Sequence, residues 1–169
     1  MTDYKKSITV SKPASEVYAA ITEYISDWWS NDLTGAAAQA GNNFTIAFGK
    51  TQKTFEIIKA IPNEQIIWKC VKAYIDVESL KNKAEWVGTK MIWTLNTHEQ
   101  NTTLTFLHEG LNESLECFSV CEAGWNQFLA SLQAYLIRGM GNPYLKATSN
   151  KLEEKNQALP LIYDRNLNF

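Results

Sequence analysis

The sequence lacks the features that mark several large classes of protein. It has no basic run longer than Lys5-Lys6, and its 16 Lys and Arg against 18 Asp and Glu give a formal net charge of -2, so we expect no nucleic-acid partner. Its apolar runs are far shorter than the ~20 residues that span a bilayer. The N-terminal stretch MTDYKKSITV also lacks the apolar run of a signal peptide. We therefore expect a cytoplasmic protein with no membrane span.

Motifs of enzymes and metal sites are also scarce. We find no G-x-S-x-G, no H-E-x-x-H, no P-loop and no dinucleotide fingerprint, so no cofactor is expected. The 3 cysteines are Cys70, Cys117 and Cys121, and neither histidine, His98 or His108, lies at a zinc-site spacing from them. We interpret the cysteines as reduced, buried and inert thiols.

Aromatic residues are what the sequence has in quantity. The chain contains 6 Trp, 7 Tyr and 7 Phe, or 12% of its residues. Large rings either fill a core or line an apolar cavity, and composition does not separate the two. Their spacing is more informative, because alternation of apolar and polar residues indicates strands. The alternation predicts strands over residues 4–11, 43–48, 53–61, 65–74, 89–97 and 102–109.

Helical periodicity occurs twice. The first helix is predicted over residues 13–25, since Pro13 suits a first turn and Glu16 favours the helix dipole. The second is an amphipathic helix of about six turns that begins after Ser114, a plausible N-cap, and ends near Gly139.

Three stretches have no clear period. Residues 26–32 are predicted to form a short helix or turn, residues 33–42 a loop, and residues 75–87 an irregular segment that carries Trp86. The whole order predicts an α+β fold, in which a curved antiparallel sheet wraps around the long C-terminal helix and leaves a cavity between them.

Several stretches resemble one known superfamily. The stretch Ile8 to Tyr18 (ITVSKPASEVY) resembles the opening of the START-related, Bet v 1-like SRPBCC domains, and Trp28-Trp29 fits the short helix that follows it. GTKMIW at 88–93 and TTLTFLHEGL at 102–111 resemble the last two strands, and GWNQFLASL at 124–132 resembles the final helix.

Together these stretches resemble the branch related to the activator of the Hsp90 ATPase, the AHSA1-like domains. The resemblance implies one helix-grip domain over residues 1–140 with a deep internal cavity. Residues 141–169 fall outside it and are expected to pack on the domain or on a partner. Members of the superfamily include carriers, cyclases, hydrolases and co-chaperone domains, so the fold alone does not fix the function.

The inward phase of the predicted strands and the apolar stripe of the long helix give the candidate ligand-binding residues. They are Trp28, Trp68, Trp93, Phe106, His108, Trp125, Phe128 and Tyr135.

His108 shares the phase of Leu104 and Phe106 and is a catalytic candidate. It would act as a general base or as a ligand hydrogen-bonding group. The alternative is a core histidine that is bonded to a neighbour. Trp28 and Trp29 are adjacent, so we expect one of them to be exposed near the mouth of the cavity.

These observations favour binding of a small apolar or aromatic molecule, by a carrier or a sensor. The alternatives are a chaperone-associated interaction module and a small cavity enzyme that uses His108. Apolar residues of the tail, such as Leu161 and Phe169, also make a homodimer plausible, unless they pack on their own domain.

Overall fold

An antiparallel sheet of seven strands forms the body of the computed structural model, which describes residues 1–147. The strands are β1 (Tyr4–Val10), β2 (Leu33–Gly35), β3 (Asn43–Phe48), β4 (Thr51–Ile61), β5 (Gln65–Tyr74), β6 (Lys90–His98) and β7 (Asn101–Glu109). Their order across the sheet is β1-β7-β6-β5-β4-β3-β2. Strands β2 to β7 therefore form a meander, and β1 returns to pair with β7.

Two α-helices and one short 3₁₀ helix complete the described elements. Helix α1 spans Ala14–Ala20, the 3₁₀ helix spans Ile25–Asp27, and the long helix α2 spans Phe118–Arg138. No helix within residues 1–147 is both long enough and apolar enough to cross a membrane. The α+β helix-grip prediction is confirmed.

Alternation places one face of the sheet against α2. In β7, for example, Leu104, Phe106 and His108 are buried and their neighbours are less so. The cross-strand register brings Trp93 of β6 opposite Phe106 of β7, and their ring centroids are 4.3 Å apart. The buried stripe of α2 packs on this face through Trp125, whose ring centroid lies 4.4 Å from that of Phe106.

The predicted first helix is wrong beyond Ala20. The indole Nε1 of Trp28 donates a hydrogen bond of 2.8 Å to the carbonyl of Ala20, which is one of the carbonyls left open where α1 ends. Burial of Trp28 therefore draws the chain out of the helix and into turns and the 3₁₀ helix.

Two further boundaries differ from the sequence-based predictions. Part of the predicted loop 33–42 forms β2, which pairs with β3. Ser114 is not the N-cap of α2, since its hydroxyl bonds Asn112 and the helix begins after Cys117. A carboxylate from elsewhere in the chain meets that helix start, as described below.

Gly35 provides a test of the pairing between β2 and β3. Its φ is +95°, and an added Cβ would meet the backbone oxygen of Asn43. Gly41 has a similar φ of +89° but open space around it. We expect Gly35→Ala to lower the free energy of unfolding by about 2–3 kcal/mol and Gly41→Ala by about 1 kcal/mol, the cost of backbone strain alone. Urea denaturation measures both, and equal losses would show that the close approach is not a constraint.

Candidate ligand-binding site

The space between the sheet and α2 is occupied by stacked aromatic rings. Trp29 stacks on Trp68 and on Trp125, with ring centroids 5.8 and 5.0 Å apart. Trp68 and Trp93 are also neighbours at 5.0 Å. All four indoles are fully buried. The prediction of an internal cavity is therefore wrong around these four indoles, because their stacked rings fill the space between the sheet and α2.

Several hydrogen-bond donors lie inside this core. The indole Nε1 atoms of Trp68 and Trp93 are buried and meet no hydrogen-bond acceptor among the described residues. A buried donor that stays unsatisfied costs about 1–3 kcal/mol. The aromatic interior is thus not purely apolar, and it offers N–H groups that an acceptor atom would satisfy.

Lys53 is the most unusual of the buried groups. It shares the inward phase of β4 with Phe55 and Ile57 and is fully buried. Its Nζ lies 3.5 Å from the ring centroid of Trp86, a cation–π contact. Burial lowers the pKa of Lys53 to about 8, although the nearby thiols, with Cys121 the strongest, favour the charged form. The inward alternation of Lys53, Phe55 and Ile57 is visible in the sequence, but Lys53 was not among the predicted site residues.

The thiols around Lys53 are buried and free of disulfides. Burial raises the pKa of Cys70 to about 12. Burial also opposes ionisation of Cys121, but the hydrogen bond from Cys117, the charge of Lys53 and the N–H of Trp86 together lower its pKa. The bond from Trp86 Nε1 to Cys121 Sγ is 3.1 Å long. No group of three or more potential metal ligands occurs among residues 1–147.

His108 lies in a continuous chain of hydrogen bonds. The Nε1 of Trp125 donates to His108 Nδ1 at 3.0 Å, so that nitrogen carries no proton. The proton of the neutral ring is then on Nε2, which donates to Thr89 Oγ1 at 2.9 Å. Thr89 in turn donates to the carbonyl of Trp86 at 2.6 Å. Burial, with the charge of Lys53, lowers the pKa of His108 well below its usual value.

This arrangement has a consequence for the chemistry of His108. Both ring nitrogens are engaged, one as acceptor and one as donor, which is the bonding of a core histidine held neutral. A general base needs a free lone pair aimed at substrate, and the lone pair of Nδ1 already accepts the hydrogen bond from Trp125 Nε1–H.

Residues 75–89, which we call the covering segment, close the interior beside Lys53. The segment has no helix or strand, as predicted for 75–87, and it buries Ile75, Leu80 and Trp86. The carboxylate of Glu85 accepts hydrogen bonds from the backbone N–H groups of Glu116 and Cys117, at 2.9 and 2.8 Å. A negative charge at a helix N-terminus is favourable. Glu85 therefore binds the covering segment to the start of α2 through these two hydrogen bonds.

The other sequence-predicted residues fall into two groups. Phe106 and Phe128 are buried in the core with the tryptophans. Tyr135 is only partly buried and contacts Tyr24 near the C-terminal end of α2, so the structure places it apart from the interior.

The prediction that either Trp28 or Trp29 is exposed is wrong. Both are fully buried, and their rings stack at 5.8 Å. They follow the 3₁₀ helix rather than lying in a strand, so adjacent side chains need not point to opposite faces. Ser131 and Tyr144 bond the backbone of this pair and cover it.

The fold and the interior define a helix-grip protein of the Bet v 1-like superfamily. The family model described as activator of Hsp90 ATPase homolog 1-like protein matches residues 11–137. The chain therefore belongs to the AHSA1-like family.

Solved structures with the same fold are similar to this chain. The Aha1 dimer from Colwellia psychrerythraea is 26% identical, with a TM-score of 0.67 over 83% of this chain and 100% of that one. DynU16, a putative protein in the dynemicin biosynthetic locus, is 22% identical, with a TM-score of 0.63 over 84% of this chain and 50% of that one. CalU16 from Micromonospora echinospora is 18% identical, with a TM-score of 0.59 over 91% of this chain and 81% of that one. No curated protein matches the chain significantly.

The neutral state of His108 generates a pH prediction. Its pKa is lowered in the folded state, so its contribution to stability is full above the unfolded pKa of 6.5 and is lost as pH falls below it. Each such group changes the free energy of unfolding by at most about 1.4 kcal/mol per pH unit. We expect the stability advantage of the wild type over His108→Gln to shrink between pH 7 and pH 5.

Urea denaturation across this pH range measures the difference between the two proteins. The exposed His98 is present in both and cancels. If the difference in the free energy of unfolding between the wild type and His108→Gln stays constant with pH, then His108 is not held neutral by the fold.

Proposed function

We propose that the protein binds a small apolar or aromatic molecule between the sheet and α2, as a carrier or sensor. The observation that carries this proposal is the set of polar groups in the aromatic interior. They are the buried ammonium of Lys53, which lies against Trp86, and the indole N–H groups of Trp68 and Trp93, which meet no acceptor among the described residues. Ligand sites typically combine aromatic walls with a few convergent polar groups that fix orientation. An aromatic ligand would offer its ring face to the ammonium of Lys53. An acceptor atom on the ligand would also satisfy the indole N–H groups of Trp68 and Trp93.

The fold also supports ligand binding between the sheet and α2. Helix-grip proteins enclose their interior between the sheet and the long helix, and here the covering segment closes that interior with irregular backbone. Loops of this kind open at lower free energy than core strands and helices. We infer that the ligand enters where residues 75–89 lie.

Lys53 provides a test of this proposal. Replacing a residue that is buried for binding should raise stability and weaken binding, whereas replacing a structural residue should lower stability. We expect Lys53→Met to raise the free energy of unfolding at pH 7 by about 1–3 kcal/mol, since the variant no longer buries a charge. We expect the same change to weaken ligand binding at least tenfold, the effect of about 1.4 kcal/mol. Lys59→Met is the matched control, because Lys59 is exposed on the same strand.

The measurement combines native mass spectrometry with a thermal-shift screen of fatty acids, sterols, isoprenoids and aromatic metabolites. A ligand at a hundredfold excess over its Kd stabilises the native state by about 2.7 kcal/mol. The proposal predicts one class of hits that bind the wild type and Lys59→Met but not Lys53→Met. It fails if no class shifts the wild type, or if Lys53→Met is destabilised and still binds.

A second candidate function is self-association through the outer side of α2. The side chains of Ile137 and Met140 are 58% and 76% exposed, and Met140 lines a groove of about 570 Å³ together with the small residues Ala130 and Ala134. Exposed apolar surface of this kind often marks an interface. The relative from Colwellia psychrerythraea is described as a dimer.

Ile137→Glu tests this second candidate. Light scattering coupled to size exclusion should give a dimer for the wild type and a monomer for the variant, since a charge at the interface would be desolvated. Val87→Glu is the control, because Val87 is a similarly exposed apolar residue in the covering segment. A wild type that stays monomeric at high concentration would contradict this candidate.

A further inference from the structure

The indole of Trp86 occupies a slot with four distinct walls. Its ring stacks on Trp125 at 5.8 Å and 13° and meets the edge of His108 at 4.5 Å. The ammonium of Lys53 lies 3.5 Å from the ring centroid, and Cys121 Sγ accepts the indole N–H at 3.1 Å. The indole ring therefore has a stacking partner, a cation over its face and an edge contact, and its N–H group has a hydrogen-bond acceptor.

Trp86 differs from its neighbours in how it is held. Trp68, Trp93 and Trp125 come from β5, β6 and α2, whereas Trp86 comes from the irregular covering segment. Leaving the slot requires movement of this segment alone, and the walls from β4, β7 and α2 stay in place.

The bonds that attach the covering segment to the start of α2 lie at or near the surface. The bond from Glu116 N–H to Glu85 is exposed, and the bond from Cys117 N–H is partly buried. The contact of the Lys81 N–H with Glu116 is also exposed. Such bonds exchange for bonds to water at a small net free energy. The segment is also bonded to the backbone of Cys70 in β5 and, through Thr89, to His108 in β7, and opening breaks these bonds without requiring that the strands separate from one another.

We infer that the side chain of Trp86 occupies the position that the ligand takes, so that it acts as a stand-in for the ligand. The ligand is then a planar fused-ring aromatic molecule of indole size with one N–H or O–H donor. When Trp86 swings out, the ligand stacks on Trp125, lies over the ammonium of Lys53 and donates to Cys121 Sγ. This inference rests on the proposed function and names the chemical class that the site takes.

Competition between Trp86 and the ligand makes the inference measurable. The apparent Kd of the wild type equals the intrinsic Kd divided by the fraction of time that the slot is open. Trp86→Ala removes the competitor, so we expect indole to bind this variant at least about tenfold more tightly than the wild type. Lys53→Met in the Trp86→Ala background should weaken that binding again, because the cation–π contact is lost.

The probe pair is indole and 1-methylindole, which differ in the N–H donor. We expect indole to bind Trp86→Ala about fivefold more tightly than 1-methylindole, the size of one net hydrogen bond. Equal affinities would overturn the assignment of Cys121 as acceptor. Binding of indole to Trp86→Ala that is no tighter than to the wild type would overturn the stand-in role of Trp86.

A measurement on the wild type keeps the inference testable if Trp86→Ala does not fold. The side-chain N–H resonance of Trp86 is assigned by its loss in Trp86→Phe, and indole is then titrated into ¹⁵N-labelled protein. Displacement predicts that this resonance moves towards a solvent-exposed indole, whereas those of Trp68 and Trp93 stay in a buried environment. If a ligand from the screen binds the interior and the Trp86 resonance does not move, the inference fails and the proposed function stands. If the wild type binds no ligand of any class, both fail.

Discussion

The hydrogen-bonded chain through neutral His108 links the three parts on which the structure depends. Trp125 of α2 donates to the imidazole on β7, the imidazole donates to Thr89, and Thr89 donates to the backbone of Trp86. Helix, sheet and covering segment thus meet at one ring, and each bond has a fixed direction. A second proton on His108 would place two donors face to face, so the closed interior depends on the imidazole staying neutral.

Lys53 gives the interior its polar character. Burying a lysine among aromatic rings and thiols carries a desolvation cost, and ordinary core packing would be better served by Met or Leu at this position. Its cation lies against Trp86, and Cys121 receives the N–H of the same indole. Lys53 and Cys121 therefore converge on a ring that the irregular covering segment supplies. This arrangement is expected of a site in which a ligand replaces a side chain of the protein.

Much of the fold was predictable from periodicity, because residues such as Trp68, Trp93 and Phe106 alternate with polar neighbours and mark the inner face of the sheet. The site was less predictable. The stacking of Trp28 on Trp29 depends on a 3₁₀ turn, and the anchoring of the covering segment depends on Glu85 meeting a helix start more than thirty residues away in sequence. The role of Trp86 has no local signal, since residues 75–87 have no period. Lys53 was detectable by its phase, but a lysine is usually expected at the surface.

The most direct test of this account is native-state hydrogen exchange of the wild type. The backbone N–H of Ile75 bonds Lys83 and that of Gly88 bonds Cys70, so their exchange reports how the covering segment opens. The account predicts that these amides and the Trp86 side-chain N–H exchange by a local opening that denaturant barely affects, at a lower free energy than the amides of β6 and β7. Exchange of the covering segment only through global unfolding, with the same denaturant dependence as β6 and β7, would contradict it.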